Sequence, residues 1–111
     1  MGFNEALGFD VGEDGRSIVL APQAGHEVAP GTVHFAVLTT LGEVAAAQAA
    51  GEAVVPAQVA VQLVRPAGRD AALVARGRVL KSGRTLIFAE AEVTQHDRLV
   101  AKVTVTFARR S

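Results

Sequence analysis

The fold of this chain is most constrained by one helical segment followed by four segments in which apolar and polar residues alternate. The segment from about His34 to about Ala50 has apolar residues at helical spacing, is rich in alanine and ends at Gly51. After Gly51 the apolar period changes to two, as in VPAQVAVQLV and TLIFAEAEVT. A helix of alanines is a thin rod that a curved sheet can approach closely. This order predicts an α+β domain with an antiparallel sheet wrapped around one long central helix.

Short turns join the predicted strands. Turn signals occur at Ala67-Gly68, Ser82-Gly83 and His96-Asp97. We therefore expect consecutive strands to pair antiparallel, with Arg76 and Arg78 facing Glu90 and Glu92 across neighbouring strands. Before the helix, FNEALG predicts one helical turn, GFDVGEDGRSIVLAP a hairpin with its turn at Asp14-Gly15, and QAGHEVAPG a loop.

Size and composition exclude several classes of protein. With 111 residues, half of them apolar, the chain predicts a single domain over residues 1–111. Eleven basic residues balance eleven acidic ones and aromatic residues are few, which argues against binding to nucleic acid or to an anionic membrane. The chain has no cysteine, its three histidines lack a metal-ligand spacing, and it shows neither a signal segment nor a membrane span. We expect a soluble cytoplasmic protein with no metal site.

Self-association is a further expectation. One helix of this length covers only one face of the predicted sheet, and the strand set leaves unpaired edges. A second copy of the chain would cover both.

Glu43 is the first candidate for chemistry. On a helix its neighbours at three and four residues are small, namely Thr39, Thr40, Ala46 and Ala47, so its carboxylate stands over a shallow trough. Partial desolvation there would raise its pKa towards the range of a general base. The alternative is a solvated or ion-paired glutamate over ordinary helix packing.

His34 and Phe35 are the second candidates, at the helix start. The first N–H groups of a helix have no partner within it, so the N–H of Phe35 can hold a carbonyl oxygen that becomes negative. The alternative is that His34 caps the helix. Basic side chains at strand ends and turns, including Arg65, Lys81 and Arg84, could hold a phosphorylated carrier, or each could be a solubilising charge.

The order of elements resembles the hotdog fold over nearly the whole chain, most closely the small acyl-CoA thioesterases of the phenylacetate-pathway (PaaI-like) type. That family carries the motif N-x-x-G-x-x-H-G-G, followed by Asp or Glu nine residues after the histidine. Here GTVHFA supplies Gly31 and His34, and Glu43 lies nine residues after His34. The chain departs from the motif at two places, with Val28 at the asparagine position and Phe35-Ala36 at the glycine pair.

The resemblance implies a homo-oligomeric thioester hydrolase, a dimer or a homotetramer built as a dimer of dimers, with sites at the dimer interface. It makes Glu43 of one subunit the general base or nucleophile, working with His34 and Phe35 of the other. No cofactor is implied, because coenzyme A is part of the substrate. The residues expected to contact substrate are Val28, Gly31, Thr39, Thr40, Ala47, Arg65, Lys81 and Arg84.

Three other functions stay open from the sequence. A non-catalytic acyl-CoA-binding hotdog protein would keep the glutamate without turnover, and the two departures from the motif favour it. A hydroxyacyl-thioester dehydratase shares the fold, but Pro30-Gly31 precedes His34 here, whereas in dehydratases the histidine comes first. In a purely structural oligomer, Glu43 would make a contact between subunits.

Overall fold

The computed structural model describes residues 2–110, which form two α-helices and eight strands. The helices are α1 (Phe3–Leu7) and α2 (Phe35–Ala50). The strands are β1 (Asp10–Val11), β2 (Ser17–Leu20), β3 (Glu27–Ala29), β4 (Thr32–Val33), β5 (Val54–Leu63), β6 (Leu73–Ser82), β7 (Leu86–Gln95) and β8 (Arg98–Arg109). The predicted short helix, the hairpin at Asp14-Gly15 and the long helix are all confirmed. The predicted loop before α2 contains a 3-10 turn (Ala24–His26) and the small β3–β4 ribbon.

Six of these strands form one antiparallel sheet in the order β1-β2-β6-β7-β8-β5. The turn predicted at Ser82-Gly83 joins β6 to β7, and the one at His96-Asp97 joins β7 to β8. His96 and Asp97 have φ values of 54° and 60°, the left-handed pair that a two-residue hairpin turn requires. The α+β architecture predicted from the sequence is confirmed.

The predicted pairing of β5 with β6 is wrong. Residues 64–72, which include Ala67-Gly68, form a nine-residue connection instead of a hairpin turn. β6 has β2 on one side and β7 on the other, so β5 crosses to the far edge of the sheet and pairs antiparallel with β8. The apolar period shows which face of a strand is buried, but it does not identify the neighbouring strand.

The predicted arginine–glutamate pairing on the outer face of the sheet is confirmed. Arg78 lies opposite Glu90, with 2.8 Å between Nε and Oε2, and Lys102 Nζ lies 3.4 Å from the other carboxylate oxygen. The hydrogen bond from Arg78 lowers the pKa of Glu90, which is only 7% exposed.

Helix α2 packs on the inner face of the sheet, mainly against β6, β7 and β8. Two glycines bring the helix and the sheet close together. A Cβ at Gly77 of β6 would overlap the Ala45 carbonyl oxygen and lie 2.9 Å from the Cα of Ala46, and one at Gly42 of α2 would lie 2.7 Å from the Cβ of Val103. The helix backbone therefore rests directly on the sheet, as expected for an alanine-rich rod.

The edge strand β5 is the part of the sheet least covered by the rest of the chain. Most of its residues are exposed, among them Val55, Val59 and Leu63, and its outer edge has no strand beside it among residues 2–110. An unpaired ten-residue edge of this kind is a template for another strand. Oligomerisation stays a prediction, and the unpaired edge of β5 is a surface at which it can be tested.

Candidate functional site

The start of helix α2 leaves one backbone donor open. His34 is the N-cap residue, and its Nδ1 accepts a hydrogen bond of 2.9 Å from the N–H of Ala36. The N–H of Val37 donates to the carbonyl oxygen of His34 at 3.0 Å. Within the described part of the chain, the N–H of Phe35 has no acceptor. The cap and the open donor predicted for this helix start thus occur together, since His34 caps through its ring and Phe35 keeps a free N–H.

Neighbouring segments hold the helix start in place. The N–H of His34 donates to the carbonyl of His26 at 2.8 Å, and the N–H of Val33 donates to the carbonyl of Ala67 at 2.9 Å. Ala67 belongs to the connection between β5 and β6, so this connection is tied to the residue just before the cap.

Gln95, at the end of β7, fixes the same connection. Its Nε2 donates to the carbonyls of Gly68 and Ala71, both at 2.8 Å, and its Oε1 accepts from the N–H of Gly68 at 3.1 Å. The side chain is 7% exposed and all of these groups are satisfied. Sequence reasoning did not single out Gln95. The available signal was a glutamine at the inward-facing position that follows Ala91 and Val93 in the alternation of β7.

Glu43 lies half-buried in the middle of α2. Burial raises the pKa of its carboxyl above the ordinary value, because desolvation disfavours the charged form. Among residues 2–110 it makes no ion pair. The hydroxyls of Thr39 and Thr40 donate back to the carbonyls of Phe35 and Ala36, at 2.9 and 2.8 Å, and do not bind the carboxylate. Ala47, one turn further on, is also half-buried and small.

Within one subunit, Glu43 and the open donor are too far apart to act on the same atom. Phe35 and Glu43 are eight residues apart on one helix, which is about 12 Å along the axis. A base and an oxyanion donor must both lie about 3 Å from the reacting group. One subunit does not bring these predicted residues together.

An apolar groove of about 400 Å³ lies beside the helix start. Three predicted site residues, Val28, Phe35 and Arg65, line it. Arg65 donates through Nη1 to the carbonyl of Leu99 at 2.5 Å, which anchors one edge. Gly31, with φ of 82°, makes the β3–β4 turn nearby, and its N–H donates to Glu27 Oε2 at 2.7 Å.

Lys81 and Arg84 lie at the other end of the molecule. Lys81 lies near the end of β6 and Arg84 in the β6–β7 turn. Beside this turn, Arg109 binds Ser82 at 2.6 Å and also pairs with Glu52, just after the end of α2. The 16 residues of α2 span about 24 Å, so neither basic residue belongs to the groove of its own subunit.

The remaining histidines have structural partners. His26 accepts the N–H of Gln23 at Nδ1, and its Nε2 lies 2.7 Å from the carbonyl oxygen of Leu7. His96 Nε2 lies 2.7 Å from Asp70 Oδ2. Across residues 2–110, no three acidic, histidine or cysteine side chains cluster as metal ligands, and no helix is long and apolar enough to cross a bilayer.

Solved structures with similar folds cover nearly all of this chain. A mutant of the phenylacetic acid degradation protein PaaI from Thermus thermophilus superposes with a TM-score of 0.88 at 27% identity, over 97% of this chain and 98% of that chain. A conserved protein of Pseudomonas aeruginosa gives 0.86 at 28% identity, over 99% and 94%. A Bacillus halodurans protein, solved with CoA, gives 0.84 at 21% identity, over 95% and 73%, which shows a shared fold.

These likenesses confirm the predicted resemblance to PaaI-like hotdog proteins. No curated protein matches the sequence. The family model of the thioesterase superfamily matches residues 30–102, from the turn before α2 into β8. This chain belongs to the thioesterase superfamily.

Proposed function

We propose that this protein hydrolyses the thioester bond of an acyl-CoA with a small or medium acyl group. The proposal is carried by two groups that occur together on α2. The N–H of Phe35 at the helix start is open, and Glu43 is partly desolvated and has no ion-pair partner among the described residues. Membership of the thioesterase superfamily supports the reaction class. The CoA held by the Bacillus halodurans protein of the same fold makes CoA esters the first carrier to test.

In the proposed reaction, the thioester oxygen accepts a hydrogen bond from the N–H of Phe35. As a base, Glu43 takes a proton from water while the water oxygen bonds to the carbonyl carbon. The negative charge that develops on the carbonyl oxygen is stabilised by the Phe35 donor. The C–S bond then breaks, and the CoA thiolate receives the proton from Glu43. As a nucleophile, Glu43 would instead attack the carbonyl carbon and displace the CoA thiolate, and water would then hydrolyse the mixed anhydride to the free acid and the Glu43 carboxylate.

The proposed site is built by two subunits. The separation of about 12 Å along α2 argues against a site within one subunit, whereas two antiparallel α2 helices could place Glu43 of one beside Phe35 of the other. The exposed edge of β5 supports such a pairing, because it is free to accept a second copy in a symmetric antiparallel contact. The contacts proposed for Lys81 and Arg84 with CoA phosphates would also come from the partner subunit.

A second candidate function is acyl-CoA binding without turnover. Val28 is 61% exposed at the groove and occupies the position where the family motif has asparagine. An apolar side chain there offers no hydrogen bond to orient a water molecule or a carbonyl. Tight binding of a CoA ester without hydrolysis would select this function.

The first experiment compares hydrolysis of short, medium and aromatic acyl-CoAs by the wild type and Glu43→Gln. We expect turnover in the wild type and a loss of at least about a hundredfold in the variant, the scale on which a general base contributes, with its oligomeric state unchanged. Equal turnover in both proteins would remove Glu43 from the reaction.

The donor is tested with Phe35→Pro, because proline lacks the backbone N–H and is well tolerated at the first position of a helix. Phe35→Ala, which keeps the N–H, is the matched control. Loss of one oxyanion donor lowers kcat by about a hundredfold to a thousandfold. We expect Phe35→Pro to be at least about tenfold slower than Phe35→Ala, and equal rates would contradict the assignment.

Mixing the two inactive variants tests the shared site. In a dimer of one Phe35→Pro subunit and one Glu43→Gln subunit, one site has lost both groups and the other has kept both. Co-expression should therefore restore activity to the mixed dimer. If each site lay within one subunit, no mixture would recover.

A further inference from the structure

Phe35 forms one wall of the groove beside the helix start. Its apolar lining includes Leu38, Leu63, Val64 and Pro66, and the ring of Phe35 completes it. Phe35 is the first residue of α2, so the residue whose N–H is open also contributes the largest apolar side chain of the groove.

The Phe35 ring is held in position without being part of the core. It is 54% exposed and stacks on the imidazole of His34, with 4.8 Å between ring centroids and 29° between planes. Stacking restricts the ring to one side of the helix start. The open N–H and the ring belong to the same residue, so a carbonyl bound at this N–H is held next to the groove wall that the ring forms.

The chemistry of the lining defines what that substituent can be. Apart from Thr32 and Arg65, the residues that line the groove have apolar side chains, and Arg65 is already bonded to the Leu99 carbonyl. An acyl chain ending in a charge or a hydroxyl would lose its hydration against the apolar side chains, which offer no hydrogen bond in return. An unsubstituted hydrocarbon chain has no hydrogen bonds to water to lose there.

We propose that the Phe35 side chain is the specificity-determining residue of the site, and that it limits the length of an apolar, unsubstituted acyl chain bound in the groove. This inference rests on the proposed function, because it takes the Phe35 N–H as the point at which the acyl carbonyl is held. The Phe35 ring closes the part of the groove next to that carbonyl, and a smaller side chain opens it to longer chains.

The first test compares kcat/KM for butanoyl-CoA and decanoyl-CoA in the wild type, Phe35→Ala and Phe3→Ala. Each methylene that gains a buried place changes the ratio about fourfold, so Phe35→Ala should raise the decanoyl-to-butanoyl ratio at least about tenfold. Phe3 is 69% exposed in α1, outside the groove, and its variant is the matched control. A Phe35→Ala variant that changes both esters by the same factor would overturn the proposal.

The second test does not depend on hydrolysis. The chain contains neither tryptophan nor tyrosine, so Phe35→Trp is a single fluorescent reporter in the groove wall. Titration with butyl-CoA, a thioether that cannot be hydrolysed and carries the short chain that the groove is proposed to accept, should shift its emission to shorter wavelength and saturate. CoA alone should not produce this shift, and Phe3→Trp should not respond.

The outcomes separate the two proposals. No turnover of any ester, together with a saturating shift, would overturn the proposed hydrolysis and support the acyl groove. Turnover without a shift would keep the hydrolase and overturn the groove. A shift that follows protein concentration in the absence of butyl-CoA would show that the partner subunit fills the groove, and this too would overturn the inference.

Discussion

Gly77→Ala is predicted to destabilise the protein, because the helix backbone occupies the space that a side chain would need. The new methyl group would overlap the carbonyl oxygen of Ala45 and lie 2.9 Å from the Cα of Ala46. These are backbone atoms, so no side-chain rotation relieves the contact and the whole helix must move. Overpacking of this kind costs about 1–3 kcal/mol, and replacing a strand glycine returns about 0.5–1 kcal/mol.

We expect a net loss of about 2 kcal/mol in the free energy of unfolding, towards the upper end of that range because the contacts are with backbone. The entropy of unfolding of a chain of this length makes each kcal/mol worth about 4 °C, so Tm should fall by about 8 °C. The measurement is thermal unfolding followed by circular dichroism at one fixed protein concentration, because assembly makes Tm concentration-dependent.

Gly25→Ala is the matched control for this prediction. Gly25 has no atom within 4 Å of the added Cβ and no positive φ, so its replacement should leave Tm unchanged or raise it slightly. Equal Tm values for Gly77→Ala and Gly25→Ala would contradict the prediction that a methyl group at residue 77 destabilises the protein by pushing the helix away from the sheet.

Three further predictions concern titration and loop anchoring. Burial raises the pKa of Glu43 in the folded protein, so the wild type loses stability as pH rises from 4.5 through the folded pKa. Glu43→Gln should therefore have a higher Tm than the wild type at about pH 8 and an equal Tm at about pH 4. Hydrogen bonds from backbone N–H groups lower the pKa of Asp14 to about 2, so Asp14→Ala should lower Tm at about pH 7. The Tm values of the wild type and the variant should converge as pH falls from about 3.8 to about 2. Gln95→Leu removes three hydrogen bonds and should cost about 1–3 kcal/mol in urea unfolding, whereas Gln62→Leu on an exposed strand face should be nearly neutral.

The sequence predicted the elements of this fold well because their patterns are local. The ends of α2 lie within one residue of the prediction, since His34 caps the helix and Gly51, with φ of 70°, ends it. The facing of Arg78 and Glu90 also followed from local information, because the turn between β6 and β7 sets their register.

Long-range placement could not be predicted in the same way. The alternation in β5 is equally compatible with β6 or β8 as its neighbour, and the choice depends on β2, which occupies the other side of β6. Gln95 was missed because its three partners lie in a connection 24 to 27 residues away in the chain. Glu43 was identified by type and position, but Phe35, the residue proposed to act with it, lies eight residues and about 12 Å away along the same helix.

The strand order also has a consequence for how the chain folds. The strands β6, β7 and β8 form a meander closed by two short turns, so most of their contacts are local and can form early. The outer strands β2 and β5 join this meander only by closing large loops, one of which contains the whole of α2. We therefore expect the meander to form the folding nucleus, with α2 and both flanking strands docking in the slower step. Until β5 docks, the outer side of β8 is a free edge, and newly made chains are most exposed to mispairing at this stage.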